Sequence, residues 1–285
     1  MRQFLLPRDF NYSDSVKEIK NEVFPEVSLQ ISGSDYHYLT HVLRYKAGTV
    51  FPGIDRYGRQ YALSILEIGP DSLTLRASPE EPVSHSISTY DQARTEYFLF
   101  QALLKGKKMD TVIRQASETG IHNIVPLLTE YTVVKLENPS REEKKLKRWE
   151  TIIGEAQQQS GSKVHPKLYT PVPIRDISRI WQTESSKSAV SLFFHQNPLE
   201  NGSLHGYLSN CPHKVALVIG PEGGLSAAET DYLCSCGFFP VHLQTNILRS
   251  ETAAIYAIGA VQSILQEKEK WQIFPPQQQA ADIAE

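Results

Sequence analysis

The rhythm of apolar positions changes once along this chain, close to residue 80. Before that point, short β-prone runs (residues 2 to 6, 28 to 31, 49 to 54, 60 to 68 and 72 to 77) are separated by turn residues, and Asp55 to Gly58 and Gly69 to Ser72 are placed to close hairpins. This spacing predicts a small β-barrel. A helix is expected to interrupt it from Ser34, with Tyr38, Val42 and Leu43 on one side and His37, His41 and Arg44 on the other. Beyond residue 95 the pattern becomes continuous apolar runs at Tyr97 to Leu103, Ile121 to Leu127, Val190 to Phe194, Val215 to Ile219 and Phe239 to Leu243, as in strands buried on both faces. Helical stripes lie between them. Met109, Val112, Ile113 and Ala116 precede Gly120; Ser140 with Glu143 reads as a capping box ahead of Trp149, Ile152, Ile153 and Ala156. Ser226 with Glu229 is a second such box, and Ala254, Ile258, Val261 and Leu265 line a last long helix.

Strand–helix alternation of this kind predicts an α/β domain with a mainly parallel sheet. The expected organisation is a barrel over residues 1–80, a linker over 81–95, an α/β domain over 96–270 and a frayed tail over 271–285. Two prolines and many small polar residues between Ser78 and Thr95 support the linker. A chain of 285 residues fits two domains at about 150 residues each, and 40% hydrophobic with 21% charged residues is an ordinary globular composition.

Charge narrows the partners. Lys and Arg number 29 against 32 Asp and Glu, so the net charge of −3 gives no whole-protein field for a polyanion, and any nucleic acid must be met by local patches. No apolar run reaches membrane-spanning length and the first residues lack the apolar core of a signal peptide, which predicts a cytoplasmic protein without membrane contact. Cys211, Cys234 and Cys236 are expected to be free thiols serving as small buried hydrophobes; a lone C-x-C predicts no metal site.

Three segments carry candidate chemistry. In Leu217 to Glu229 an apolar strand runs through Gly220-Pro-Glu-Gly-Gly224 into a capped helix; adjacent glycines there suit a ligand-binding turn, though a plain tight connection has the same form. It has neither the Lys-Ser/Thr of a phosphate-binding P-loop nor the spacing of a dinucleotide fingerprint. Glu222 is a general base or a complement to the helix N-terminus. In Leu243 to Ala254, Ser250 reads as an N-cap and Glu251 as a first-turn carboxylate, while Arg249, a cation set against the helix dipole, points to an anionic partner. Lys105, Lys107, Lys108 and Arg114 surround Asp110 just after a strand end, which suits phosphate contact. The group Arg141, Lys144, Lys145, Lys147 and Arg148 is diluted by glutamates and reads as a solvated face. His195 follows an apolar strand, at the sheet edge or simply on the surface. Absence of G-x-S-x-G leaves a hydrolase triad unsupported.

Taken together, MRQFLLP at the start, HYLTHVLRYKAG from His37, KGKKMDTVIRQASETG from Lys105, EAQQQSG from Glu155, GPEGGLSAAE from Gly220 and ILRSETA from Ile247 resemble the RsmE family of ribosomal RNA methyltransferases, of the SPOUT class. The resemblance implies a PUA-like β-barrel joined to a SPOUT α/β domain with a deep trefoil knot, and a homodimer. It implies S-adenosylmethionine held by His195, Ile219, Gly220, Pro221, Gly223, Gly224, Leu243, Gln244, Asn246, Ile247 and Leu248. It implies methyl transfer to uridine N3 of 16S ribosomal RNA, free or in the small ribosomal subunit, with Arg249, Glu251 and Glu222 as catalytic candidates and Arg2, His41, Arg44, Lys105, Lys108 and Arg114 as RNA contacts. Family members usually carry Glu, Arg, Gly and Arg where this chain has Gln158, Ser162, Gln244 and Asn246. Gln244 would then put a side chain where backbone meets the cofactor, which leaves open a catalytically silent RNA-binding protein, or a methyltransferase for another RNA.

Overall fold

The computed structural model describes residues 3–7, 10, 27–55, 59–79, 95–134, 139–184, 188–199 and 202–270. Arg2, most of the expected linker and the expected tail lie outside the described residues. The first part forms a five-stranded sheet of β1 (Phe4–Leu5), β2 (Val27–Ser32), β3 (Val50–Ile54), β4 (Gln60–Ile68) and β5 (Ser72–Pro79), in the order β1-β3-β4-β5-β2. Only the β1–β3 pair is parallel. Alternation along β4 sends Tyr61, Leu63 and Ile65 inward onto Leu73, Leu75 and Phe51, so the sheet curls around one apolar core. The Gly69 to Ser72 turn closes as expected, with Gly69 N–H donating to Ser72 O at 2.7 Å.

The helix in this part departs from its expected face. It runs as α1 (Gly33–His37) and continues with π-helical geometry over Tyr38–Val42, where Leu43 N–H reaches back to Tyr38 O. One extra residue per turn rotates the register: Leu39 is buried, while Val42, expected inside, is exposed. His37 and His41 stack with ring centroids 4.6 Å apart on the outer side, and Arg44 just beyond has φ +56°.

The second part is a seven-stranded sheet in which every pairing is parallel. Its strands are β6 (Glu96–Ala102), β7 (Asn123–Leu128), β8 (Lys167–Leu168), β9 (Val172–Pro173), β10 (Ala189–Phe194), β11 (Lys214–Ile219) and β12 (Phe239–Val241), in the order β12-β10-β11-β6-β7-β8, with β9 also on β7. The helices are α2 (Lys108–Glu118), α3 (Pro139–Ser160), α4 (Ile177–Glu184), α5 (Leu204–Tyr207), α6 (Ala227–Ser235) and α7 (Ser250–Lys270). The continuous apolar runs are explained by two cores: Leu99 and Leu217 face α2, α3 and α7, whereas Phe98, Phe100 and Val218 face α4 and α6.

Two helix starts differ from expectation. α3 begins at Pro139, where a ring that presets φ suits the first turn, so Ser140 is already helical and Glu143 pairs with Lys147 at 2.8 Å. In α7 the Arg249 carbonyl accepts the Ala253 N–H at 2.8 Å, which gives Arg249, not Ser250, the capping position. The Ser226–Glu229 box forms as expected. The cysteines are free, but Cys234 is exposed and the other two half-buried, because they lie at a turn and on the outer side of α6 and its end.

Candidate functional site

Parallel strands deliver their following loops to one edge, and the loops after β10, β11 and β12 meet there. They enclose a cavity of about 290 Å³. Its floor is Ile219 at the end of β11, and its walls are the turn from Gly220 to Leu225 and the segment from Val241 to Ser250. Of the expected cofactor contacts, His195, Ile219, Gly220, Pro221, Gly224, Leu243, Asn246, Ile247 and Leu248 all line this cavity, together with Glu222 and Arg249.

The turn after β11 is braced from several sides. Gly224 N–H donates to Pro221 O at 2.9 Å and Gly224 has φ +77°, a conformation that favours glycine. The Ser250 hydroxyl donates to Gly220 O at 2.5 Å and accepts from Gln101 Nε2 at 3.1 Å. That bond ties the ends of β6 and β11 to the start of α7. On the far side, Glu229 Oε1 accepts from the Glu130 N–H at 2.7 Å while its other oxygen completes the α6 capping box, so the segment after β7 is held against the turn.

Three expected site residues lie off the cavity. Gly223 does not line it; a Cβ there would stand 2.9 Å from Tyr131 Cβ, so the small residue makes room for a neighbouring side chain and not for a ligand. Gln244 is exposed and is not among the residues that line the cavity, with φ +52°; a side chain at this position strains the backbone without lining the pocket. Glu251 turns toward α2, where its Oε2 is buried without a hydrogen-bond partner and 4.0 Å from Lys108 Nζ.

The basic residues also separate. Lys108 pairs with Glu222 at 2.9 Å. Partial burial raises the Glu222 carboxyl, but the Lys108 hydrogen bond, backbone N–H donors and the Lys108 charge outweigh it and hold Glu222 below the usual glutamate range. Asp110, which the sequence placed among the lysines, instead binds Arg148 at 2.5 Å and the Trp149 indole at 3.1 Å. Arg114 shares a second cleft of about 500 Å³ with Asp35, Glu118 and Glu155, between α1 and the α2–α3 pair. Lys105, His41 and Arg44 are exposed. Arg249, exposed at the cavity, has no ion pair among the described residues.

Sequence reasoning missed Phe194, Leu225, His242 and Thr245, which also line the cavity. The available signal was positional: each lies at a strand end or in a loop already singled out. Of the other departures, Gln158 lines the second cleft and Ser162 turns its hydroxyl onto Val164 in a local turn.

The profile of RNA methyltransferase domains matches residues 91–262, more than half of the chain. Ribosomal RNA small subunit methyltransferase E of Synechocystis is 28% identical over 243 residues, covering 85% of this chain and 75% of that protein. The Mesomycoplasma hyopneumoniae protein of the same name is 30% identical over 181 residues, 64% of this chain and 75% of the relative. Among solved structures, Legionella pneumophila Lpg2936 in complex with bound S-adenosylmethionine superposes with a TM-score of 0.71 at 29% identity, covering 85% of this chain and 94% of that one. With its strand-end cavity inside the matched region, this chain belongs to the RNA methyltransferase domain family, among the small-subunit ribosomal RNA methyltransferase E proteins.

Proposed function

We propose that this protein methylates N3 of a uridine in 16S ribosomal RNA, using S-adenosylmethionine bound in the cavity at the ends of β10, β11 and β12. The observation that carries the reading is the convergence of both motif loops on one cavity lined by Arg249, which has no ion pair among the described residues. The cavity suits the cofactor. Its size sits at the lower end of the ~300–1,000 Å³ typical of small-molecule sites. Leu243 and Leu248 offer apolar surface for a flat ring, and between 243 and 248 the Asn246 carbonyl alone is hydrogen-bonded among the described residues. The remaining backbone groups are free to read a purine edge.

The bound cofactor supplies an electrophilic methyl group, so the chain's task is to orient the partners and favour the anionic form of the base. Uridine N3 must lose a proton, and negative charge then spreads over the imide. Arg249, which has no ion pair among the described residues, stabilises that charge. Of the two candidate bases only Glu222 lines the cavity, and its lowered proton affinity makes it a weak base near neutral pH. Most of the rate enhancement is therefore assigned to Arg249. The PUA-like domain docks RNA through Arg2, His41 and Arg44, with Lys105 and Arg114 as further contacts, and the working form is a cytoplasmic homodimer acting on RNA or the small ribosomal subunit. No helix among the described residues is long and apolar enough to cross a membrane.

Weak cofactor affinity traceable to Gln244 would favour a silent RNA-binding protein, and that residue lies outside the cavity lining. The test is incubation of the purified protein with small subunits or their RNA and S-adenosylmethionine, followed by mass spectrometry of nucleosides. 3-Methyluridine is the expected product; a different methylated nucleoside, or none, would overturn the reading.

A further inference from the structure

Lys108 opens α2, and its ammonium lies 2.9 Å from Glu222 Oε1 and 4.0 Å from Glu251 Oε2. Glu222 belongs to the turn after β11, and Glu251 to the first turn of α7. These segments, distant in sequence, form adjoining walls of the cavity, and Lys108 spans them from outside without lining it. The charges count against a phosphate contact: one ammonium between two carboxylates leaves a local charge of −1, which repels a phosphate. Lys105 and Lys107 on the same loop are exposed and better placed for RNA.

We propose that Lys108 is a positioning residue of the cofactor pocket, holding the 220–224 turn against the start of α7. The inference rests on reading that cavity as the cofactor site. Glu251 Oε2, buried and without a hydrogen-bond partner, is the second anchor of the same ammonium. The groups facing Glu222 are Lys108 from α2, Glu251 beyond it on α7, the Lys105 backbone, and Arg249 and His195 across the cavity. Protonation of Glu222 removes the charge that Lys108 holds, so cofactor affinity falls when the pH drops below the ordinary glutamate range.

The experiment is calorimetric titration of the full chain with S-adenosylmethionine from pH 7 downward, for wild type, Lys108→Ala, Lys108→Arg, Lys144→Ala, Glu222→Gln and the Lys108→Ala/Glu222→Gln double variant. For a half-exposed pair, Lys108→Ala should weaken binding about two- to fivefold. Lys108→Arg should restore it, Lys144→Ala on the solvated face of α3 should leave it unchanged, and the double variant should be no worse than either single one. The acid loss of affinity that Glu222 protonation causes in the wild type should be absent in both Lys108→Ala and Glu222→Gln, which a general loss of folding would not produce. Wild-type affinity in Lys108→Ala, multiplying effects in the double variant, or a fall of about 0.7 to 0.9 in the salt slope of RNA binding on Lys108→Ala would each overturn the proposal. Failure of every protein, wild type included, to bind the cofactor would instead overturn the pocket assignment beneath it.

Discussion

The two loops that form the cavity are held in opposite ways. The turn from Gly220 to Leu225 has an internal hydrogen bond, a bond from Ser250, an ion pair with Lys108 and Tyr131 packed against Gly223. The loop from His242 to Leu248 carries a left-handed Gln244, and its Ile247 is 84% exposed. One wall is preorganised and the other is sparsely contacted, so the cost of ordering on binding falls on the second. A reaction that needs a fixed methyl direction and an exchangeable cofactor is served by that division.

Removing the Arg249 charge at the cavity should have the largest effect. Arg249→Ala should lower single-turnover methylation by about a hundredfold to a thousandfold, on the order of 3 to 4 kcal/mol, with cofactor binding retained, since the negative charge on the base exists only as its proton leaves. A normal rate at saturating cofactor would take Arg249 out of the mechanism.

The braced wall should break next. Gly223→Val drives its new side chain into Tyr131, an overpacking worth about 1 to 3 kcal/mol, and thermal melting should show it. Tyr131→Ala in the same chain should recover most of the loss; no recovery would mean that Tyr131 is not what the valine meets. Ser250→Ala leaves Gln101 Nε2 without its side-chain acceptor and Gly220 O without its donor, and should cost about 1 to 3 kcal/mol with weaker cofactor binding. An unchanged denaturation midpoint would show that the hydroxyl does not hold the turn.

The same contrast marks what the sequence reveals. Strands such as β6 and β11 are legible because burial on both faces demands unbroken apolar runs, and the Ser226–Glu229 box is legible because its partners are three residues apart. The braces are not. Lys108 with Glu222, Gln101 with Ser250 and Tyr131 with Gly223 join residues far apart in the chain, and nothing local distinguishes a lysine that pairs from one that meets phosphate. For the same reason Gly223 reads as a ligand contact when its neighbour is a tyrosine. The register of the α1 segment fails differently: a π turn shifts every later face while leaving the composition of the helix unchanged.

The smallest effect belongs to the loosely held loop. Gln244 sits at φ +52°, where a side chain costs about 1 to 2 kcal/mol relative to the right-handed regions. Gln244→Gly removes that strain but adds freedom to the unfolded chain, worth about 0.5 to 1 kcal/mol in the other direction. The net expectation is a gain of about 0.5 to 1 kcal/mol, seen as a higher denaturant midpoint with an unchanged slope. Because the side chain lies off the cavity lining, cofactor affinity should stay within about twofold, the scatter left by small backbone adjustments. A Gln244→Val variant should move stability the other way, since a β-branched residue tolerates this conformation worst. A stability gain with intact binding would locate the cost of the glutamine in the backbone; weaker binding in the glycine variant would show that the side chain acts on the ligand, and that the second wall is less independent of the first than its contacts imply.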